Sequence, residues 1–228
     1  GASKEAWAVR TADGRELILR RAGGGVIHGD TLSLRHEFDV LVAAREAGVL
    51  VPEPIAYLGE LDGREAFAME LVYGETIGRR IVKDPPPGLE LQMAEELAKI
   101  HAIPPATLPF LPGPDLWQRL YAELDTVEEP HPAIELGIVW CRDRLPLERT
   151  RVVTHGDFRL GNWLVEQRGD SATLLGVLDW EMVHLGNPVD DLAWWMTLDD
   201  SMSEGLAIMV GMEIPKLAGL PDRAAMVA

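Results

Sequence analysis

What this sequence lacks narrows it first. A single cysteine, Cys141, stands in 228 residues. One thiol cannot build a disulfide framework, and that fits a reducing cytoplasm. No apolar run approaches the ~18 residues that a membrane span requires. Positive charge is scarce: 21 Lys and Arg stand against 37 Asp and Glu, a net charge of −16. That excess argues against nucleic acid or anionic membrane as the main partner. A cationic small molecule is compatible with it, although acidic surfaces chiefly serve solubility. Neither an internal repeat nor a low-complexity stretch is present.

What is there reads as a globular chain with room for one large or two small cores, at ~100–200 residues per domain. Trp7–Arg10 and Glu16–Arg20 flank Asp13-Gly14, a strong hairpin signal. Phe38, Leu41, Val42 and Arg45 trace one stripe of a helix over Ser33–Ala47, with Gly48 placed to end it. A second hairpin, Ile55–Leu58 with Ala66–Leu71, turns at Asp62-Gly63. Leu89, Met93, Leu97 and Ile100 predict an amphipathic helix over Leu89–His101. Asp115 suits the N-cap of a helix carrying Trp117, Leu120, Tyr121 and Leu124. Pro132 suits the first turn of another, through Ile134, Ile138, Cys141 and Leu145, stopped by Pro146. On that stripe Cys141 reads as a buried apolar residue.

The chemistry concentrates in Val152–Trp180. A short apolar strand delivers His155-Gly156-Asp157, the loop ends at Asn162, and a strand pair follows whose second member ends on Asp179. Kinase-type phosphoryl transfer needs these parts: a carboxylate to accept the proton of the attacking hydroxyl, and an Asn and a second Asp to hold Mg²⁺. The protein-kinase loop H-R-D-L-x-x-x-N has the same Asp-to-Asn separation, with Gly156 here in place of the Arg. Asp157 is thus the candidate base, and Asn162 and Asp179 are the candidate metal ligands. Arg159 follows Asp157 by two places, where kinases carry a phosphate-gripping Lys. After this stretch His184–Pro188 reads as a loop, and Asp190 or Asp191 as the cap of a helix through Trp194, Trp195 and Met196.

His-Gly-Asp with the downstream Asp179-Trp180 resembles the aminoglycoside phosphotransferase family, relatives of choline kinase with a protein-kinase-like fold. Leu17–Arg20, His36-Glu37-Phe38, Met69–Gly74, Leu97–Ala102 and Gly186–Ala193 look like that family, in its order. The resemblance implies an α+β, two-lobed fold. A small antiparallel-sheet lobe would span residues 1–73 and bind nucleotide. A mainly helical lobe would span 74–228 and hold the catalytic loop and metal site, with both ends incomplete relative to the family. It implies Mg²⁺ and ATP, with transfer of the γ-phosphoryl group to a hydroxyl of a small molecule. It also implies roles. Ser3 lies in a loop over the phosphates. Arg20 stands where the family carries a Lys on the α/β-phosphates, and Glu37 pairs with it. The backbone around Glu70 and Val72 meets the adenine edge. Asp191 buttresses the catalytic loop beside His155, and Trp180 and Glu181 face the acceptor.

Two other classes use the same residues. A metal hydrolase would need His155 or His184 with the carboxylates, but no H-E-x-x-H spacing is present. A nucleotide-binding pseudokinase would fit the Arg at position 20, yet the full Asp157, Asn162 and Asp179 set argues against it.

Overall fold

Two hairpins, one near the start of the chain and one around Asp62-Gly63, build one antiparallel sheet. The computed structural model describes residues 4–23, 31–81, 87–113, 116–127, 129–144, 151–169 and 171–200. Ser3, Asp115, Leu145, Pro146 and everything from Ser201 onward lie outside these residues. Strands β1 (Lys4–Arg10), β2 (Glu16–Ala22), β3 (Pro54–Leu61) and β4 (Arg64–Glu70) hydrogen-bond in the order β1-β2-β4-β3. Both hairpins turn where expected, the second through Asp62 and Gly63 at φ 53° and 72°.

Helix α1 (Leu34–Glu46) lies on this sheet. The Ser33 hydroxyl accepts the His36 amide at 3.2 Å and caps it. Val40, Leu41 and Ala44 are buried, and Phe38 meets Phe67 of β4 at 5.7 Å between ring centroids. Burying Phe67 fully contributes about 1.5–3 kcal/mol. The helix therefore has a fixed place on the sheet, and with it the carboxylate of Glu37.

Beyond β4 the chain becomes mainly helical. A short α2 (Gly78–Ile81) precedes α3 (Leu89–His101), with the bounds that its apolar spacing predicts. Met93 and Ile100 of α3 are fully buried. Helices α4 (Leu116–Asp125) and α5 (Pro132–Arg142) follow, with Pro132 in the first turn. Here the sequence misleads: Cys141 is exposed, and Ile138 is the buried residue of α5. No described element covers the Cys141 side of the helix, so helical spacing alone overstates its burial.

Two short strand pairs then frame the loop. Strand β5 (Val152–Thr154) pairs with β8 (His184–Gly186), and β6 (Trp163–Arg168) with β7 (Ser171–Val177). Residues 184–186 were expected as loop; three residues carry too little alternation to reveal a strand. Helix α6 (Pro188–Asp200) closes the described chain. Its cap also differs from expectation. Asn187 Oδ1 accepts the Val189 amide at 2.9 Å, and Asp190 Oδ2 accepts the Asn187 amide at 2.9 Å. This reciprocal box frees Asp191 for another task. The fold is α+β and two-lobed. No helix among the described residues is long and apolar enough to cross a membrane.

Candidate active site

The loop from His155 to Asn162 is held from behind by α6. Asp191 is buried, and its Oδ2 and Oδ1 accept the backbone amides of His155 at 2.9 Å and Gly156 at 2.8 Å. Its Oδ2 also meets His101 Nε2 of α3 at 3.0 Å. Burial pushes the Asp191 carboxyl up, but the His101 hydrogen bond and the two amides outweigh it and hold the group below its ordinary 3.8. One ionised carboxylate thus fixes two consecutive peptide groups.

Gly156 explains why no side chain replaces the kinase Arg. Its φ is +80°, and a Cβ there would collide with the Met182 carbonyl oxygen, a backbone atom. We expect Gly156→Ala to cost about 2 kcal/mol or more, because left-handed strain adds to the clash. Urea denaturation checks this; a cost within experimental error of zero would show that the loop relaxes freely.

His155 is fully buried, between Trp180 at 4.8 Å and Phe158 at 5.9 Å. The Leu178 carbonyl, 3.0 Å from Nε2, can only accept, so Nε2 carries the proton. The Asp157 amide, 3.3 Å from Nδ1, can only donate, so Nδ1 is bare. The ring is neutral. Burial pushes its pKa below the ordinary 6.5, partly offset by Asp191, the Leu178 carbonyl, Asp157 and Asp179. The unfolded chain therefore binds the proton first. Stability from this group is full above 6.5 and falls as pH drops below it. We expect the loss of unfolding free energy between about pH 7.5 and 5.5 to shrink in His155→Gln; equal losses would remove His155 as the cause.

Asp157 is the centre of the loop. Its carboxylate takes Asn162 Nδ2 at 2.7 Å, Trp194 Nε1 at 2.7 Å, and Arg159 Nε at 3.0 Å to each oxygen. Asn162 Nδ2 also reaches the Asp157 carbonyl at 2.8 Å. That amide group is spent on Asp157, which leaves Oδ1 of Asn162 for a cation. The Asn162 carbonyl accepts the Leu178 amide at 2.8 Å, so Asp179 follows directly on a residue tied to Asn162. Asp179 has φ 65°, uncommon outside glycine, and its side chain is part-exposed. Such strain costs on the order of 1–3 kcal/mol and persists where surroundings enforce it.

On the sheet side, Arg20 Nη2 lies 3.1 Å from Glu37 Oε1 and 3.8 Å from Asp179 Oδ1. Its neighbour Arg21 faces the other way, onto Glu5 at 2.7 Å and Asp62 at 3.2 Å. Register in the strand thus selects Arg20. The Arg20 Nε is buried and has no hydrogen-bond partner among the described residues. Lys4 was not anticipated: its Nζ lies 2.7 Å from Glu37 Oε2 and 3.2 Å from Glu181 Oε2. Lys4 opens β1, and the first residue of a strand has no pattern to reveal such a contact. Trp194 was also missed, since a Trp pair on a helix reads as core.

One expectation differs from the geometry. Trp180 does not face an acceptor; it is buried, and its Nε1 donates to the Val177 carbonyl at 3.0 Å. It supports the loop from below His155. Glu181 Oε2 lies 3.2 Å from Lys4 Nζ of the sheet. Around the crossing after β4, the Glu70 amide donates to the Glu53 carbonyl at 2.8 Å, and Glu75 exchanges backbone bonds with Val165 at 2.7 and 3.0 Å. No hydrogen bond to the backbone of Val72 occurs among the described residues.

A four-stranded sheet with one helix, joined to a helical lobe that presents Asp157, Asn162 and Asp179, defines a protein of the kinase-like fold. The sequence matches the phosphotransferase enzyme family (APH) over residues 1–220, and the chain belongs to that family. Among curated proteins, mouse acyl-CoA dehydrogenase family member 10 is 30% identical over 85% of this chain and 19% of its own length. Human acyl-CoA dehydrogenase family member 11 is 28% identical over 77% of this chain and 24% of its own length. The chain thus spans about a fifth to a quarter of these relatives. Among solved structures, a thermostable mutant of aminoglycoside phosphotransferase APH(4)-Ia in ternary complex with ADP and hygromycin B superposes with TM-score 0.60 at 13% identity, covering 92% of this chain and 75% of that one. The GDP complex of aminoglycoside 2'-phosphotransferase-IIIa gives 0.59 at 16% identity, over 86% and 69%. At these identities the structural likeness concerns the fold.

Proposed function

We propose that this chain is an ATP- and Mg²⁺-dependent phosphotransferase that moves the γ-phosphoryl group to a hydroxyl of a small molecule. The observation that carries the reading is the Asp157–Asn162 pair: one residue offers a carboxylate, and the other has its amide group committed and its oxygen left over. In this reading residues 1–73 bind the nucleotide and 74–228 carry the chemistry. Arg20, positioned by Glu37, meets the phosphates, together with Ser3. The backbone from Glu70 to Val72 meets the base. Asp157 takes the hydroxyl proton as the new O–P bond forms and the bond from the γ-phosphorus to the departing ADP oxygen breaks. Asp191 and His155 hold the loop in place.

An amide oxygen and a carboxylate form a hard oxygen set, so Asn162 and Asp179 fit Mg²⁺. Bound there, the cation neutralises phosphate charge. The acidic chain and its single thiol suit a cationic acceptor and a reducing cytoplasm.

The test is calorimetric titration of ATP with and without Mg²⁺, followed by ATP consumption over a panel of hydroxylated small molecules. We expect Mg²⁺ to tighten ATP binding in wild type, and Asp179→Asn to abolish that gain while the protein stays folded. Full Mg²⁺ enhancement in the variant would remove Asp179 as ligand. Binding without turnover on any acceptor would mark a pseudokinase.

A further inference from the structure

The Asp157 carboxylate is saturated. A carboxylate offers about four lone-pair sites. Oδ1 accepts Arg159 Nε at 3.0 Å and Trp194 Nε1 at 2.7 Å. Oδ2 accepts Arg159 Nε at 3.0 Å and Asn162 Nδ2 at 2.7 Å. A hydroxyl that is to give its proton to Asp157 needs one of these places, so one donor must leave.

The three donors are not equally held. Asn162 is buried and is also bound to the Asp157 carbonyl at 2.8 Å. Trp194 is 43% exposed, but its backbone is fixed in α6 one turn from Asp191, which is locked to the loop by two amides. Arg159 shares one N–H between two oxygens, the weaker three-centre arrangement, and its side chain is 42% exposed. It lies in a notch that Gly161 leaves open. A Cβ at Gly161 would collide with Arg159 Nη1, and beyond its chain neighbours it would meet no other described residue within 4 Å.

We propose that Arg159 is a displaceable block on Asp157. Parked there, it covers a lone pair on each oxygen; drawn onto the terminal phosphate of the nucleotide, it uncovers the place for the acceptor hydroxyl. A phosphate outbids a single carboxylate for a guanidinium, because it offers more charge and more acceptor oxygens. Nucleotide therefore binds first, and the acceptor site becomes competent only afterwards. Arg159 is then a positioning residue before transfer and a phosphate ligand during it. This inference rests on the phosphotransferase reading.

The test is a cycle of Gly161→Ala and Arg159→Met, read by calorimetric titration with Mg·ATP and Mg·ADP. Gly161→Ala fills the notch and destabilises the parked position while keeping the charge. We expect it to bind Mg·ATP roughly three- to tenfold tighter than wild type, with a much smaller change for Mg·ADP, which lacks the terminal phosphate. In the Arg159→Met background the same substitution should change nothing. Gly161→Ser should behave as Gly161→Ala does. An unchanged affinity in both Gly161 variants, or the same gain with and without Arg159, would overturn the block. Failure of wild type to bind Mg·ATP at all would instead overturn the phosphotransferase reading, and the block with it.

Discussion

Asp157→Asn is expected to lower turnover by on the order of 10²-fold or more, with Mg·ATP affinity within about fivefold of wild type. The substitution keeps size and one accepting oxygen. That oxygen still serves Asn162 or Trp194, so the loop keeps its shape. The new amide cannot take a proton. Transfer passes through a loose transition state, so part of the gain comes from holding the hydroxyl in line, and that part survives. The remainder is the general-base contribution, typically about 10²–10⁴-fold. Single-turnover kinetics with a hydroxyl acceptor found by the panel, beside calorimetry of Mg·ATP, separates the two quantities. If binding and turnover fell together, Asp157 would be a metal ligand or a folding residue, and the kinase-type assignment of the loop would have to go.

Asp191→Ala should show the largest stability effect, a loss of about 3–5 kcal/mol. The carboxylate accepts the His155 and Gly156 amides at 2.9 and 2.8 Å and meets His101 at 3.0 Å. Its side chain is fully buried. Alanine would strand two backbone amides and an imidazole away from water, each with its own desolvation cost. Asp191→Asn retains one oxygen and should lose less, about half as much. Urea denaturation followed by tryptophan fluorescence measures both. A loss below about 1 kcal/mol for Asp191→Ala would mean that water reaches the amides, and that α6 does not hold the loop.

Both predictions concern residues that could be read from the sequence, and the reason is local. Asp157 and Asn162 are five residues apart in one loop, so their spacing alone brings them together. Asp191 became legible through resemblance, as the Asp before Leu192-Ala193. Residues whose partners are distant fared differently. Lys4 meets Glu37 from 33 residues away, and Trp194 meets Asp157 from 37. No periodicity carries such a contact. Trp180 was misread because an aromatic beside Asp179 can point either into solvent or under the loop, and only the position of His155 decides between them.

The sequence by itself determined the two hairpins of the sheet, the turn at Asp62-Gly63, the bounds of α3, and the chain-local part of the site. Backbone propensity and side-chain period act over a few residues, and these features need nothing more. The tertiary structure decided which strand-end arginine turns inward. It decided that Cys141 stays exposed, and that Arg159, read as a phosphate-gripping cation, rests on the Asp157 carboxylate. Each of these depends on what another element places across a gap of a few ångströms, and packing between elements is a property of the folded chain that no single segment encodes.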